Sequence, residues 1–357
     1  MEFKIPKPLH IGDRIAIVGP SAALATIFPH KRDLGMQRLQ SVFGLEPVLY
    51  QSASNDRDSS PIARANDLIE AFADPTITAI ICTIGGDDLV RIIPFLIDNL
   101  ICSEPKALLG FSDITALHLL LWKRGIVSYY GGNLMCQFAM GGDMHSYTVN
   151  SIQQTLFTSD SQKLLPSVSF LDGQPDWADP GNLLIYPDLE INKDGWQWNT
   201  SWDKTVITGR LWGGCIPSIY KVLASGIDVL IPSKDEMKGC VLFIETSDSM
   251  PSSSIVYDFI AALGERGLIQ CFVALLVGRP QTIHMGLEPP QGRTKFKEDQ
   301  RISIERGIAE YAPGIPIIFG LDFGHTDPQI LVPSGGIVTI DYKKYSIIFN
   351  NNKMSKL

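Results

Sequence analysis

The sequence is poor in the residues that carry metal and redox chemistry. Six histidines and six cysteines are spread over 357 residues, and neither a C-x-x-C nor an H-E-x-x-H spacing occurs. That excludes zinc ribbons, dithiol redox motifs and zincin-type metal sites, so no catalytic metal and no cofactor are expected. Cys82, Cys102, Cys136, Cys215, Cys240 and Cys271 lie mostly within apolar text, which makes buried, reduced thiols the expectation. No apolar run approaches the ~20 residues of a membrane span. The first ten residues lack the apolar centre of a signal peptide, so a cytoplasmic protein without membrane contacts is expected. Lys and Arg are nowhere clustered and the net charge is −8, which argues against a nucleic-acid surface. Small molecules or further copies of the chain are the expected partners.

What is present is an ordinary globular composition, 45% hydrophobic and 19% charged, in a chain long enough for two domains. Apolar runs alternate with amphipathic ones. Strands are expected over Arg14–Val18, Ile77–Ile84, Ala107–Phe111 and Val127–Tyr130, and helices over Lys31–Val42, Pro61–Ala73, Leu89–Ile97 and Asp113–Arg124. Buried strands alternating with helices indicate an α/β fold with a parallel sheet covered on both faces. A second series follows, with strands over Val206–Leu211, Cys240–Ile244, Phe272–Val277 and Ile315–Phe319. Helices are expected over Ile216–Ala224, Ser253–Gly264 and Gln300–Tyr311, and a final hairpin over Ile337–Ile340 and Tyr345–Phe349. Between the two series, a Pro-, Gly- and Asp-rich stretch carries Trp177, Trp196, Trp198 and Trp202. Four tryptophans argue against plain disorder. The reading is a nucleophile domain over 1–165, a Trp-bearing linker over 166–204 and a smaller α/β domain over 205–357.

The chemistry centres on Ser112. In Ala107-Leu-Leu-Gly-Phe-Ser112-Asp-Ile-Thr an apolar run stops at serine and an amphipathic run begins. A strand, one sharp turn and a helix lift a side chain clear of the sheet edge, which suits a nucleophilic serine. The match to G-x-S-x-G is partial, because Ile114 stands at the last glycine. Ser112 would equally suit a helix N-cap. Of the histidines, His325 is the best-placed base, since it follows a strand and is flanked by Asp322 and Asp327; His284 is the reserve. Glu245 closes an apolar strand, where a carboxylate is costly unless something uses it. The order Ser112, Glu245, His325 is one of the known orders for such triads. Backbone N–H groups at Asp113 and at Gly85 or Gly86 are candidate oxyanion donors.

Thr83-Ile-Gly-Gly-Asp87, Gly110-Phe-Ser-Asp-Ile-Thr115, Leu242-Phe-Ile-Glu-Thr246 and Phe323-Gly-His-Thr-Asp-Pro328 together resemble the S66 serine peptidases. That family comprises the LD-carboxypeptidases of peptidoglycan recycling and the microcin C7 immunity proteins of the MccF type. The resemblance runs from about Gly12 to about Ile340. It implies a Ser112–His325–Glu245 triad, an N-terminal domain like the class I glutamine amidotransferases, a homodimer, and hydrolysis of an amide in a small peptide or aminoacyl-nucleotide. The long Trp-bearing segment is more similar to the MccF branch, where a loop tryptophan stacks on the substrate's base. Trp177 holds the matching position, and packing the loop onto the second domain is its other available role. Cys215 and Ser247 stand where that branch has substrate-binding residues, and no lysine follows Glu245. Asp248 would repel an acidic substrate group. Three alternatives remain: an LD-carboxypeptidase, an α/β-hydrolase esterase, which would need a full G-x-S-x-G, and a binding protein without catalysis.

Overall fold

The computed structural model describes residues 2–55, 60–100, 102, 104–199 and 206–350; Trp202 lies outside them. Five strands come first: β1 (Arg14–Val18), β2 (Glu46–Leu49), β3 (Ile77–Cys82), β4 (Ala107–Gly110) and β5 (Ser128–Tyr130). The middle of the chain forms β6 (Gln162–Leu164), β7 (Ser169–Phe170), β8 (Glu190–Ile191) and β9 (Gln197–Trp198). The last part forms β10 (Val206–Cys215), β11 (Cys240–Glu245), β12 (Phe272–Gly278), β13 (Ile317–Leu321), β14 (Val332–Ser334), β15 (Ile337–Asp341) and β16 (Ser346–Phe349).

The first sheet runs β14-β5-β4-β3-β1-β2. Its five N-terminal strands are mutually parallel and only β14 is antiparallel. The second runs β6-β16-β15-β10-β11-β12-β13-β9, with β10 to β13 parallel. The protein is therefore α/β with two parallel-sheet units. The units exchange strands. β6, from the first part of the chain, pairs with β16, and β14, from the last part, pairs with β5. The ends of the presumed linker belong to sheets as well, since β9 pairs with β13.

The central strands, such as Leu242 and Ile244 of β11 and Ile80 of β3, are fully buried, as expected of strands covered on both faces. Some segments depart from the sequence expectation. Leu89–Ile97 divides into a 3-10 turn, Leu89–Arg91, and a short helix, Ile93–Ile97; Pro94 has no N–H to carry a longer one. The last long helix starts at Arg293 rather than Gln300. Its charged first turns are held by pairs such as Lys295–Asp299 at 2.6 Å, a spacing that stabilises helices without apolar periodicity. β10 does not stop before Gly213-Gly214 but runs through them to Cys215. A Cβ on Gly213 would collide with the Phe243 carbonyl of β11, so the two backbones approach as only glycine allows. All six cysteines are free; Cys102 and Cys271 are only half-buried.

Candidate active site

Ser112 follows β4 after the single residue Phe111 and opens the turn Ser112–Ile114, which leads into the helix Thr115–Lys123. Its φ is +64°, a left-handed conformation that costs a non-glycine residue about 1–2 kcal/mol. The turn is held by its surroundings. The Ser112 carbonyl accepts from Thr115 Oγ1 (2.6 Å) and Ser218 Oγ (3.2 Å), and the Ser112 N–H donates to the Tyr130 hydroxyl at 3.1 Å. The helix is capped at Ile114, so Ser112 does not serve as its N-cap. His118, one turn further on, is fully buried between Ser128 Oγ (2.7 Å) and the Gly110 carbonyl (2.8 Å). Burial pushes its pKa down to about 4, so it buttresses the turn as a neutral imidazole.

Gly85, after the neighbouring strand β3, passes directly over the serine. A Cβ there would stand 2.8 Å from Ser112 Cβ, 3.1 Å from Ser112 Oγ and 3.3 Å from the Asp113 nitrogen. Gly86 has φ +149° and packs against Ser21 and Ala22. The Asp113 side chain turns away from the turn's backbone and accepts from Ser21 Oγ (2.6 Å) and the Leu89 N–H (2.8 Å). The backbone of Asp113 and of Gly85 thus meets at the serine, while the Asp113 carboxylate fastens the loops after β1 and β3.

Glu245 ends β11, and His325 follows β13. His325 Nδ1 lies 2.8 Å from Glu245 Oε2. The carboxylate also accepts from the Tyr130 hydroxyl (2.6 Å) and the Ser247 N–H (2.8 Å). Burial alone would raise the Glu245 pKa, but the His325 charge and these three donors hold it low. Burial alone would lower that of His325. Glu245 foremost, with Asp248 and Asp327, raises it instead. Gly278 and Gly324 press on the Glu245 side chain, where their Cβ atoms would come within about 3.0 Å. Tyr130 joins the two halves: its hydroxyl accepts from the Ser112 N–H and donates to Glu245. Phe111 lies edge-on to the His325 ring with centroids 5.0 Å apart. Sequence reasoning missed Tyr130; its only signal was a polar tip at the end of a buried strand, just before Gly131-Gly132.

The other singled-out residues sort clearly. The buried Cys215 is paired with Glu245 across β10 and β11, and its thiol contacts that carboxylate, which together with burial pushes the thiol pKa far up. The Cys215 N–H donates to Thr115 Oγ1 at 3.0 Å, tying β10 to the serine turn. Ser247, at φ +72°, orients Glu245 through its backbone, and its hydroxyl donates to Asp248 Oδ1 at 3.1 Å. Asp248 lies 3.7 Å from His325 Nε2 and 3.8 Å from His284 Nδ1. Trp177 sits on the N-terminal unit. It meets Phe28 edge-on at 6.0 Å, Lys31 Nζ stands 4.7 Å over its ring, and its carbonyl is 2.9 Å from His30 Nε2. Lys31 is buried and its pKa is lowered to about 8. Arg279 is held by Asp322 at 2.6 Å. Among the described residues no group of three His, Cys, Asp or Glu side chains is arranged to hold a metal ion.

Two family models match the chain, the LD-carboxypeptidase N-terminal domain over residues 15–131 and its C-terminal domain over residues 208–340. The chain belongs to the S66 peptidase family. A carboxypeptidase-named relative from Vibrio cholerae is 26% identical over 347 residues, 95% of this chain and 96% of that protein. The microcin C7 self-immunity protein MccF of Escherichia coli is 25% identical over 358 residues, 98% and 96% of the two chains. The crystal structure of an MccF-like protein from Streptococcus pneumoniae in complex with AMP is 27% identical, with a TM-score of 0.82, over 96% of this chain and all of that one. As an S66 member this protein is a hydrolase of the serine carboxypeptidase type.

Proposed function

We propose that Ser112, His325 and Glu245 form the catalytic triad of an amide hydrolase. Ser112 Oγ attacks the carbonyl carbon of the substrate amide. His325 Nε2 takes the serine proton and passes it to the leaving nitrogen. Glu245 fixes the imidazole through Nδ1 and stabilises its cation. The N–H groups of Asp113 and of Gly85 or Gly86 receive the oxyanion. Water then releases the acyl group from Ser112. The observation that carries this reading is the buried His325–Glu245 pair, linked through Tyr130 to a serine held at positive φ.

The substrate proposed is a small peptide or an aminoacyl-nucleotide in which the amide joins an amino acid to the rest. The likeness to the AMP-bound MccF-like protein supports a nucleotide. Asp248, beside His325, disfavours an acidic acyl group, which supports peptides in which that position is neutral or cationic; a peptidoglycan-derived peptide is the second reading. The chain is proposed to act as a homodimer in the cytoplasm. Exposed apolar residues on the linker, among them Val168, Leu184 and Ile185, support the dimer. No helix among the described residues is long and apolar enough to cross a membrane.

The test is hydrolysis of an aminoacyl-sulfamoyl-adenosine and of a muropeptide tetrapeptide by wild type and Ser112→Ala. Cleavage of either by wild type alone supports the serine mechanism, and the preferred compound assigns the substrate. Equal cleavage by both proteins, or none by either, would remove the proposal.

A further inference from the structure

A cavity of 300 Å³ opens where the loop Glu190–Gln197 and the helix Arg293–Tyr311 meet the carboxyl ends of β11, β12 and β13. It is not the cleft of Ser112. Side chains alternate along β11. Val241 and Phe243 pack in the same cluster as Phe111, Tyr130 and Phe323, whereas Leu242 and Ile244 pack on the helix side. Glu245 continues the first set and Thr246 the second. Thr246 accordingly lines the cavity with Ile304 and Gln300 of the helix.

Two buried oxygens there lack a protein partner, Thr246 Oγ1 and Gln300 Oε1. Both residues are only 2% exposed. The Gln300 amide is oriented by its neighbour: Nε2 donates to the Pro251 carbonyl at 2.6 Å, which only accepts, so the oxygen is the free end. A buried unpaired oxygen costs about 1–3 kcal/mol and asks for a ligand that donates.

The charges around the cavity are many and balanced. Arg279 pairs with Asp322 at 2.6 Å. Arg293 bridges Asp172, at 2.8 Å, and Glu190, while Lys297 stands 3.9 Å from Asp172. Arg279 and Lys297 flank the Phe170 ring at 4.5 and 5.4 Å. Lys193 and Asp194 on the loop, and Arg301 with Glu305 (2.9 Å), are also matched in sign. A net anion or a net cation would unbalance this set. A molecule carrying one charge of each sign would not.

We infer that this cavity binds a small zwitterion, a free amino acid or a dipeptide. Its carboxylate is met by Lys297 and its ammonium group by Gln300 Oε1, Thr246 Oγ1 and Glu190. The volume accommodates a ligand of that size. Because Thr246 follows Glu245 directly, occupancy bears on the position of the carboxylate that holds His325.

The test is isothermal titration of the full chain with L-alanine, D-alanine, propionate and ethylamine. The two single-charge compounds each lack one half of the zwitterion. Saturable binding of an alanine is expected, with propionate and ethylamine at least about tenfold weaker. Thr246→Val and Lys297→Met should each weaken binding by about tenfold, and melting curves show which variants have folded. Ser112→Ala should bind as wild type does, so a failure of hydrolysis and a failure of this site are told apart. No saturation by either alanine up to about 50 mM, affinity unchanged in both cavity variants, or propionate binding as tightly as alanine would each overturn the inference.

Discussion

At the scale of the residue, the backbone of Ser112 is strained so that its side chain stands free. Strain of this kind persists only where the surroundings over-determine it, and here Thr115, Ser218 and Tyr130 do so. Ser112→Ala should lower kcat by at least about 10³-fold, measured by turnover of whichever substrate is cleaved. Ser112→Gly should be equally inactive yet more stable by about 0.5–1 kcal/mol, measured by urea denaturation. Loss of stability in the glycine variant would show that the serine's positive φ is unstrained. Asp248 acts on His325 by charge. As the proposed base, His325 must be neutral to take a proton, and a raised pKa keeps the proton on, so kcat/KM should climb with pH through a value above 6.5. The groups that raise it are Glu245, Asp248 and Asp327; His284 faces Asp248 from the other side. Asp248→Asn should move this limb to lower pH, because one of the charges that raise the His325 pKa is gone, and raise turnover of acidic acyl substrates relative to neutral ones. A pH–rate profile that does not move would separate Asp248 from the base.

At the scale of the element, the site is assembled from strand ends. β3 delivers Gly85, β4 Ser112, β5 Tyr130, β10 Cys215, β11 Glu245, and the segment after β13 His325. The carboxyl ends of parallel strands leave backbone groups and side chains free to converge. The convergence is close enough that a methyl group matters. Gly85→Ala would set its Cβ at 2.8 Å from Ser112 Cβ, and a shift of about 1 Å at the proposed nucleophile costs about 10²-fold in rate. Steady-state kinetics beside a melting curve would show whether the loss falls on kcat rather than on the fold. The linker is an element of its own. Trp177 clips it to the helix Pro29–Phe43 through Phe28 and Lys31. Trp177→Ala should therefore raise KM more than it lowers kcat, and should leave the Lys31 ammonium without its aromatic face.

At the scale of the whole molecule, the two units are bound by exchanged strands and by the Tyr130–Glu245 hydrogen bond at their junction. Glu245 and His325 give that junction a pH signature. The folded pKa of His325 is raised, so its contribution to stability is complete below the unfolded value of 6.5 and is lost as pH rises through the folded one. The folded pKa of Glu245 is lowered, so its contribution is present above the unfolded value of 4.5 and is lost as pH falls through the folded one. The stability difference between wild type and Glu245→Gln should be largest between about pH 4.5 and 6.5, near 3 kcal/mol, and should shrink on either side. Denaturation at a series of pH values measures it; a difference independent of pH would mean the pair is not ionised in the folded protein.

The sequence by itself determined the principal strands and helices of the two units and the chemical types at their ends. Continuous apolar runs and helical patterns, with Pro61 opening one helix and Gly85-Gly86 closing one strand, depend on neighbours within a few residues and are legible locally. So was the candidacy of Ser112, Glu245 and His325, because a polar residue ending a buried strand is costly without a use. The rest was decided by tertiary structure. Tyr130 shows nothing in the sequence that foretells a hydroxyl shared between Ser112 and Glu245, which are 133 positions apart. β10 runs through Gly213 because β11 lies against it, and β6 and β14 change sheets because their partners, β16 and β5, are distant in the chain. Trp177 reads in the sequence as a residue that stacks on substrate or packs the loop onto the second domain, and only the folded chain brings Phe28 and Lys31 against it. Local pattern specifies which face of an element is buried. Which distant element buries it depends on pairings that only the folded chain brings together.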